Sequence, residues 1–216
     1  MPNKTKFLDI PVLTGDREGI CEGVFKTLRL GKRFHIITLN ALMVNHAFEN
    51  PSFFKVLKSG FCVNDSVGIK AASFLLKGKA IDNFPGIELF YNLCAFAAEE
   101  SFPVFVYGAK EDINILACEK LKKRFPGINI CGRLNGYAAN AAAIIKKAKP
   151  EFLFAALDSP RQELWLYEHL PELKCSGMGI GGALDVFSGH LRRANPVFRA
   201  AGFEWLARLL REPRRA

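Results

Sequence analysis

The chain has 216 residues, of which 50% are hydrophobic, 24% charged and 12% aromatic. This is the composition of a packed globular protein, and it excludes disordered, collagen-like and low-complexity classes. The six cysteines form no CxxC pair, so we expect small core residues in a reducing compartment and not a disulfide scaffold or a cysteine-based metal site. No apolar stretch is long enough to span a bilayer, and the first residues do not resemble a secretion signal.

The net charge of +9 is unevenly distributed along the chain. Residues 192–216 contain seven arginines and two glutamates, a net charge of +5. Within this stretch Phe198, Gly202, Trp205 and Leu209 recur at helical spacing, which predicts an amphipathic helix. We therefore divide the chain into one domain, residues 1–190, and a basic C-terminal segment, residues 191–216, that is expected to dock on its own domain, on a second subunit or on an anionic surface.

In chain order, a strand predicted at residues 7–12 is followed by a helix after Asp16, and then strands and helices alternate. Further strands are predicted at residues 34–38, 61–64, 103–107, 128–131, 152–156 and, more weakly, 177–180. The helices between them are predicted at residues 41–50, 68–76, 87–100, 111–124, 137–148 and 161–169. Such alternation requires crossover connections, so it predicts an α/β fold of Rossmann-like type, with a mostly parallel sheet and helices on both faces.

Polar residues cluster where predicted strands end and helices begin, the place where open parallel sheets bind ligands. They comprise Thr38 and Asn40, Asp65, the turn at Gly108, and Gln162 with Glu163. Two interpretations remain open for each of them. Thr38, Asn40 and Asp65 could cap helix N-termini, and Gln162 and Glu163 could belong to an ordinary helix start after Pro160. Alternatively, these turns could line a substrate pocket for a phosphate or sugar.

The glycine-rich stretch that contains Gly181, Gly182 and Asp185 also has two interpretations. Glycine allows the backbone to approach a diphosphate closely, but it also allows tight packing at a corner between strand and helix. The spacing matches neither GxGxxG nor the P-loop. No GxSxG elbow and no DxD triplet occur in the chain, which favours a carboxylate general base without a metal or cofactor over a covalent or metal-assisted mechanism.

Eight short blocks, taken in order, resemble the WecG/TagA/CpsF family of bacterial glycosyltransferases, glycosyltransferase family 26. The blocks begin at Thr38, Asn64, Phe84, Phe125, Asn135, Ser159, Gly179 and Arg193, the last followed by Phe203-Glu-Trp205. The most specific are Pro160-Arg-Gln-Glu163 and the Glu-Trp-Leu and Glu-Pro-Arg runs near the C-terminus. Two departures stand out, because Ser66 replaces the family's usual glycine and Asn83 occupies a position where the family usually has arginine.

The resemblance implies transfer of a sugar, of N-acetylmannosamine type or related, from a UDP-sugar to an undecaprenyl-diphosphate-linked sugar in cell-envelope polysaccharide synthesis. It further implies inversion at the anomeric carbon, no metal, peripheral attachment to the cytoplasmic face of the membrane, and a homo-oligomer. A nucleic-acid partner is not expected, because the apolar residues of the basic segment follow a helix-packing period. The alternative is a non-catalytic module that binds a nucleotide or another polyanion.

The same resemblance assigns roles to individual residues. Asp65 matches the general base proposed for the family, which would accept the proton of the acceptor hydroxyl. Three arginines are candidates for stabilising the departing UDP: Arg208, Arg211 and Arg214. The predicted substrate-binding set is Thr38, Asn40, Asn83, Gly108, Gln162, Glu163, Gly181, Gly182, Asp185 and Arg193.

Overall fold

The computed structural model describes residues 3–190, which fold into alternating strands and helices. The strands are β1 Lys4–Phe7, β2 Ile10–Leu13, β3 His35–Leu39, β4 Phe61–Asn64, β5 Val104–Gly108, β6 Ile130–Leu134, β7 Phe152–Ala156 and β8 Ser176–Gly179. The helices are α1 Arg17–Arg29, α2 Ala41–Glu49, α3 Pro51–Ser59, α4 Val67–Lys77, α5 Gly86–Glu99, α6 Glu111–Arg124, α7 Ala141–Ala148, α8 Arg161–Leu173 and α9 Ala183–Phe187. The predicted C-terminal helix lies outside the described residues, as do Arg193, Arg208, Arg211 and Arg214.

All eight strands form one sheet in the order β1-β2-β4-β3-β8-β7-β5-β6. The β1–β2 pair is antiparallel, and every other neighbouring pair is parallel. The predicted mostly parallel α/β sheet is therefore confirmed. Because the parallel strands all point the same way, the loops that follow β3, β4, β5, β7 and β8 meet at one edge of the sheet, which we call the carboxyl edge.

Helices cover both faces of the sheet, as the alternation of buried side chains along β5 shows. Val104 and Val106 pack in a core with α1, α5, α6 and α9. Phe105 and Tyr107 face the other way, into a core with α7 and α8. On that second face a further core joins α2, α3 and α4 to the β2, β3 and β4 half of the sheet. A strand buried on both faces reads as a continuous apolar run, which is why these strands were predictable.

The N-terminal stretch differs from the single strand predicted at residues 7–12. It is a hairpin in which Phe7 pairs with Ile10, leaving Leu8 and Asp9 as a two-residue turn. Both turn residues have positive φ, +47° and +65°, the backbone that two-residue hairpins require. Leucine seldom adopts this conformation, so the sequence carries no turn signal of the usual Asn-Gly kind.

The second difference is α3, which was not predicted. Asn50 precedes Pro51 and therefore resembles a helix end, since a residue before proline disfavours helical backbone. Asn50 does end α2, and its side chain also accepts hydrogen bonds from the backbone N–H groups of Ser52 and Phe53, at 3.1 and 3.2 Å. Asn50 thus caps a new helix that has proline in its first turn.

The short helix α9 was not predicted either, and the other elements lie close to the prediction, with shifts of a few residues. The helix predicted at residues 137–148 begins only at Ala141, and the one predicted at 161–169 continues to Leu173. The strand predicted at 128–131 is β6, Ile130–Leu134. Five of the six cysteines are buried, as expected, and all six are free. No helix within residues 3–190 has the length and apolar character needed to cross a membrane.

His35 lies in β3, within the strand predicted at residues 34–38, and is buried. Within the described part of the chain neither ring nitrogen has a hydrogen-bond partner, and burial lowers the pKa of the imidazole from 6.5 to about 3. The unfolded chain therefore binds the proton more readily than the folded one. Stability is lost as the pH falls below the ordinary pKa of histidine.

We expect acidification from pH 7.5 to pH 5 to reduce the free energy of unfolding by about 2 kcal/mol through His35. Urea denaturation at both pH values measures this change. His35→Leu removes the titrating group from the buried position, so its stability should depend less on pH. An equal loss in both proteins would assign the acid sensitivity to other groups.

Candidate functional site

Asp65 is held at the carboxyl edge by contacts on both sides of the loop that follows β4. Its backbone N–H donates to the carbonyl of Leu39, at 2.9 Å, which ties the loop to the end of β3. Its Oδ1 accepts a hydrogen bond from the backbone N–H of Gly86, at 2.8 Å. Gly86 is the first residue of α5, and the residue before it, Pro85, provides no side-chain cap. The exposed Asp65 carboxylate thus sits on a helix N-terminus, where a negative charge is stabilised.

One role left open by the sequence was that Asp65 caps α4, the helix that follows it. The structure excludes this role, because another residue is the cap. The hydroxyl of Ser66 caps α4 by accepting from the Gly68 N–H. This leaves the Asp65 side chain directed across the edge to α5.

Asn64, which precedes Asp65, is a positioning residue, a role that was not predicted from the sequence. Its side chain is buried, and its amide donates to the carbonyl of Ile81, at 2.9 Å. Its Oδ1 accepts from the Ser66 N–H, at 2.8 Å, and its own carbonyl accepts from the Phe84 N–H, at 2.6 Å. The bonds to Ile81 and Phe84 fix the segment around Asn83 against β4, and Asn83 itself is half-buried there.

Thr38 and Asn40 flank the end of β3, which runs parallel to β4 with Leu39 opposite Asn64. Thr38 lies close to Gly86, where an added Cβ would stand 2.7 Å from the threonine methyl group. Asn40 accepts from the Met43 N–H, at 2.9 Å, and so caps α2. The structure thus brings Thr38, Asn40 and Asp65 together, and at Asn40 the capping role is realised.

Gln162 and Glu163 form the second part of the edge, on α8 after β7. Both are buried, and the Gln162 amide donates to Glu163 Oε1, at 2.7 Å. The Gln162 Oε1 accepts from the Gly181 N–H, at 2.9 Å, so this side chain joins the loop after β8 to α8. Gly179 faces the same side chain, and an added Cβ would stand 2.7 Å from Gln162 Cδ. Close packing is thus one established role of this glycine-rich stretch.

Glu163 is a carboxyl group inside the protein. Its Oε2 has no hydrogen-bond partner within the described residues. Burial raises the pKa of this carboxyl above its usual range, and hydrogen bonds from Gln162 and Ser159 partly offset that rise. The protonated, uncharged form is therefore favoured here more than at the surface.

Gly182 and Asp185 lie at α9, just beyond Gly181. Gly182 precedes the first helical residue, and Asp185 lies in the first turn. An added Cβ at Gly182 would stand 3.7 Å from Asp185 Oδ2, so the two positions are neighbours. Both residues are half-buried at the carboxyl edge.

Gly108 ends β5, further along the same edge. Its φ is +120°, and an added Cβ would stand 2.2 Å from the carbonyl oxygen of Ala156 in β7. The buried side chain of Asn114 donates to the Gly108 carbonyl, at 2.9 Å, and to that of Leu134, at 3.2 Å. Four strand spacings separate β4 from β5, about 19 Å, so Gly108 and Asp65 cannot contact the same atom of a ligand.

The edge is thus a row of polar groups at the carboxyl ends of parallel strands, the arrangement by which α/β enzymes bind elongated ligands such as nucleotides. Within residues 3–190, no group of three or more histidine, cysteine, aspartate or glutamate side chains could hold a metal ion. The fold places the protein in the class of mostly parallel α/β proteins, whose ligands bind at the carboxyl ends of the strands.

Comparison with known proteins narrows that class. Residues 5–216 match the glycosyl transferase WecG/TagA/CpsF family. The chain is 34% identical over 187 residues to the N-acetylglucosaminyldiphosphoundecaprenol N-acetyl-β-D-mannosaminyltransferase of Bacillus spizizenii strain W23, which covers 83% of this chain and 72% of that protein. The protein of the same name from Bacillus subtilis strain 168 is 32% identical, over 82% of this chain and 72% of that protein. The one from Staphylococcus aureus strain MW2 is 30% identical, over 83% of this chain and 73% of that protein. The chain belongs to the WecG/TagA/CpsF family and is a glycosyltransferase.

Proposed function

We propose that this chain transfers an N-acetylmannosamine-type sugar from a UDP-sugar to an undecaprenyl-diphosphate-linked sugar in cell-envelope polysaccharide synthesis. Support comes from the relatives, which are named for transfer of N-acetylmannosamine to N-acetylglucosaminyldiphosphoundecaprenol. The identity is spread over more than four-fifths of this chain. The donor, the acceptor and inversion at the anomeric carbon are all parts of this proposal.

The proposed mechanism depends on the Asp65 carboxylate, which is exposed after the end of β4 and is oriented by the Gly86 N–H. In the proposed step the acceptor hydroxyl oxygen forms a bond to the anomeric carbon as the bond from that carbon to UDP breaks. Asp65 accepts the hydroxyl proton, and UDP leaves with the bonding electrons. A single displacement inverts the configuration, and a positioned base of this kind contributes about 10²- to 10⁴-fold to the rate.

Other groups of the edge have proposed binding roles in the same reaction. Thr38 and Asn40, next to Asp65, would contact the acceptor. The row through Gln162, the Gly181 turn and Gly108 has the extent of an elongated donor, so we place the UDP-sugar along it. Asn83, Glu163, Gly182 and Asp185 complete the proposed set.

Negative charge develops on UDP as it leaves, and it must be stabilised. We propose that arginines of the basic segment do this without a metal, with Arg208, Arg211 and Arg214 as candidates and Arg193 as a substrate contact. Support comes from the sequence, since residues 192–216 contain seven arginines and the chain contains no DxD triplet. Because the acceptor is lipid-linked, we also propose peripheral attachment to the cytoplasmic face of the membrane.

Measuring UDP release from a panel of UDP-sugars, each with and without a short-chain lipid-diphosphate N-acetylglucosamine, tests the proposal. We expect release from one donor, dependent on the acceptor and unchanged by EDTA. Loss of release in EDTA, restored by a divalent cation, would refute the metal-independent step. No release from any donor, together with thermal stabilisation by UDP, would favour the nucleotide-binding module instead.

A further inference from the structure

Helix α4 exposes an apolar face to solvent. Val67, Ala71, Phe74 and Leu75 follow the spacing i, i+4, i+7 and i+8, which places them on one side of a helix. All four are exposed, Phe74 by 59% and Leu75 by 82%. On the opposite side Ile69 and Ser73 are buried, whereas Leu76, near the end of the helix, is 62% exposed. Because α4 is apolar on both sides, residues 3–190 cover one apolar side and leave the other in contact with solvent.

This α4 face starts at the candidate site. Val67 lies two residues after Asp65, and the face extends about 12 Å from there to Leu75. The first turn of α2 lies beside it, because an added Cβ at Gly68 would stand 3.9 Å from the Cβ of Ala41. Leu42, next in α2, is 72% exposed. The apolar surface therefore adjoins the place where the acceptor is proposed to bind.

Lysines border the same surface. Lys70 lies on the flank of α4, with Asp82 as its ion-pair partner at 2.6 Å. Lys77 reaches the carbonyl of Lys6 in β1, and Lys79 follows the helix. Lys70, Lys77 and Lys79 thus lie on or just after α4, and Asp82 is the ion-pair partner of Lys70. Long lysine side chains can lie along apolar surface while their ammonium groups reach a charged layer above it.

We propose that the α4 face, Val67, Ala71, Phe74 and Leu75, seats the protein on an anionic lipid bilayer, with Phe74 and Leu75 among the acyl chains and the lysines at the headgroups. The positive charge of the lysines favours a bilayer over a second copy of this chain as the partner of the α4 face. In a symmetric pair the same patch faces itself, so the lysines of both copies would be brought together. Anionic headgroups instead complement them.

This inference rests on the proposed function in one respect, the lipid-linked acceptor. An acceptor anchored in a bilayer presents its sugar at the membrane surface. A protein lying on α4 holds the β4 end, and with it Asp65, next to that surface. Attachment through α4 is separate from any attachment through residues 191–216, because it depends on side chains of the folded domain.

The test is cosedimentation of the full chain with vesicles of phosphatidylglycerol and phosphatidylcholine. Leu75→Glu should lower the partition coefficient by about tenfold, because a charge then replaces a leucine at the acyl boundary. Leu30→Glu is the matched control, since Leu30 is 63% exposed at the end of α1, on the opposite face of the sheet, and this variant should partition like the unmodified protein. Equal partitioning of Leu75→Glu and the unmodified protein would overturn the proposal.

Two further measurements separate the alternatives. In sedimentation without vesicles, the unmodified protein and Leu75→Glu should have the same mass. A dimer of the unmodified protein that dissociates on this substitution would instead show that a second copy covers the α4 face. Leu75→Glu should keep its transfer rate on a short-chain soluble acceptor and lose about tenfold on a long-chain acceptor in vesicles. Absence of transfer to any acceptor by the unmodified protein would count against the proposed function, while the vesicle comparison would still decide the role of α4.

Discussion

Asp65→Asn is expected to lower the rate of sugar transfer by about 10²- to 10⁴-fold while leaving UDP-sugar binding and stability close to those of the unmodified protein. Asparagine cannot accept the hydroxyl proton, but it retains an oxygen at the position that accepts from the Gly86 N–H. The first turn of α5 therefore keeps its partner. Initial rates with saturating acceptor, together with calorimetric titration of the UDP-sugar, separate the two effects.

Two variants serve as controls for this prediction. Asp9→Asn makes the same chemical change in the β1–β2 turn, at the opposite edge of the sheet from Asp65, and should keep the full rate. Asp65→Ala removes both the base and the partner of Gly86, so it should also lose about 1 kcal/mol of stability, as a lost helix cap does. If Asp65→Asn were as unstable as Asp65→Ala, or transferred sugar at the full rate, Asp65 would be a structural cap and not a base.

Gly108→Ala is expected to reduce the free energy of unfolding by more than about 3 kcal/mol, the largest stability effect we expect of a single methyl group here. The added Cβ would stand 2.2 Å from a carbonyl oxygen of β7, and backbone in the middle of a sheet cannot move away as a flexible side chain can. The φ of +120° adds strain. Urea denaturation at constant pH measures the loss.

Gly78→Ala is the matched control for this second prediction. Gly78 also has positive φ, +66°, but an added Cβ there meets nothing within 4 Å. This substitution should reduce the free energy of unfolding by only about 1 kcal/mol, because alanine is less stable than glycine in left-handed backbone. Equal losses in the two variants would mean that backbone strain, and not the contact between β5 and β7, accounts for the glycine at position 108.

The sequence was sufficient to predict the alternating elements, because strands buried on both faces are apolar runs and the helices between them are long. It also located the polar loops, since Thr38 lies at the end of such a run and Asn40 and Asp65 follow shortly after one. The order of the strands was not predictable, because it depends on which crossover passes over which face. Three features were missed: α3 because Asn50 before Pro51 resembles a helix end, α9 because it has only five residues, and the hairpin turn because Leu8 seldom adopts positive φ.

Contacts between distant parts of the chain explain what the sequence could not predict about the site. Asp65 meets Gly86, 21 residues later, and Gln162 meets Gly181, 19 residues later. Both bonds depend on how a loop returns to the sheet, which no local pattern encodes. The outward face of α4 illustrates a different difficulty, since a helix that is apolar on both sides gives no periodic signal for the side that faces the core.

The hairpin at the start of the chain also determines how the sheet ends. Without β1, the unpaired side of β2 would offer its backbone N–H and carbonyl groups to a strand of another molecule. β1 covers that side and presents Lys4 and Lys6, both exposed, along the new edge. Charged side chains on an edge strand oppose the addition of further strands. The free side of the sheet at β1 is therefore protected against aggregation by strand pairing.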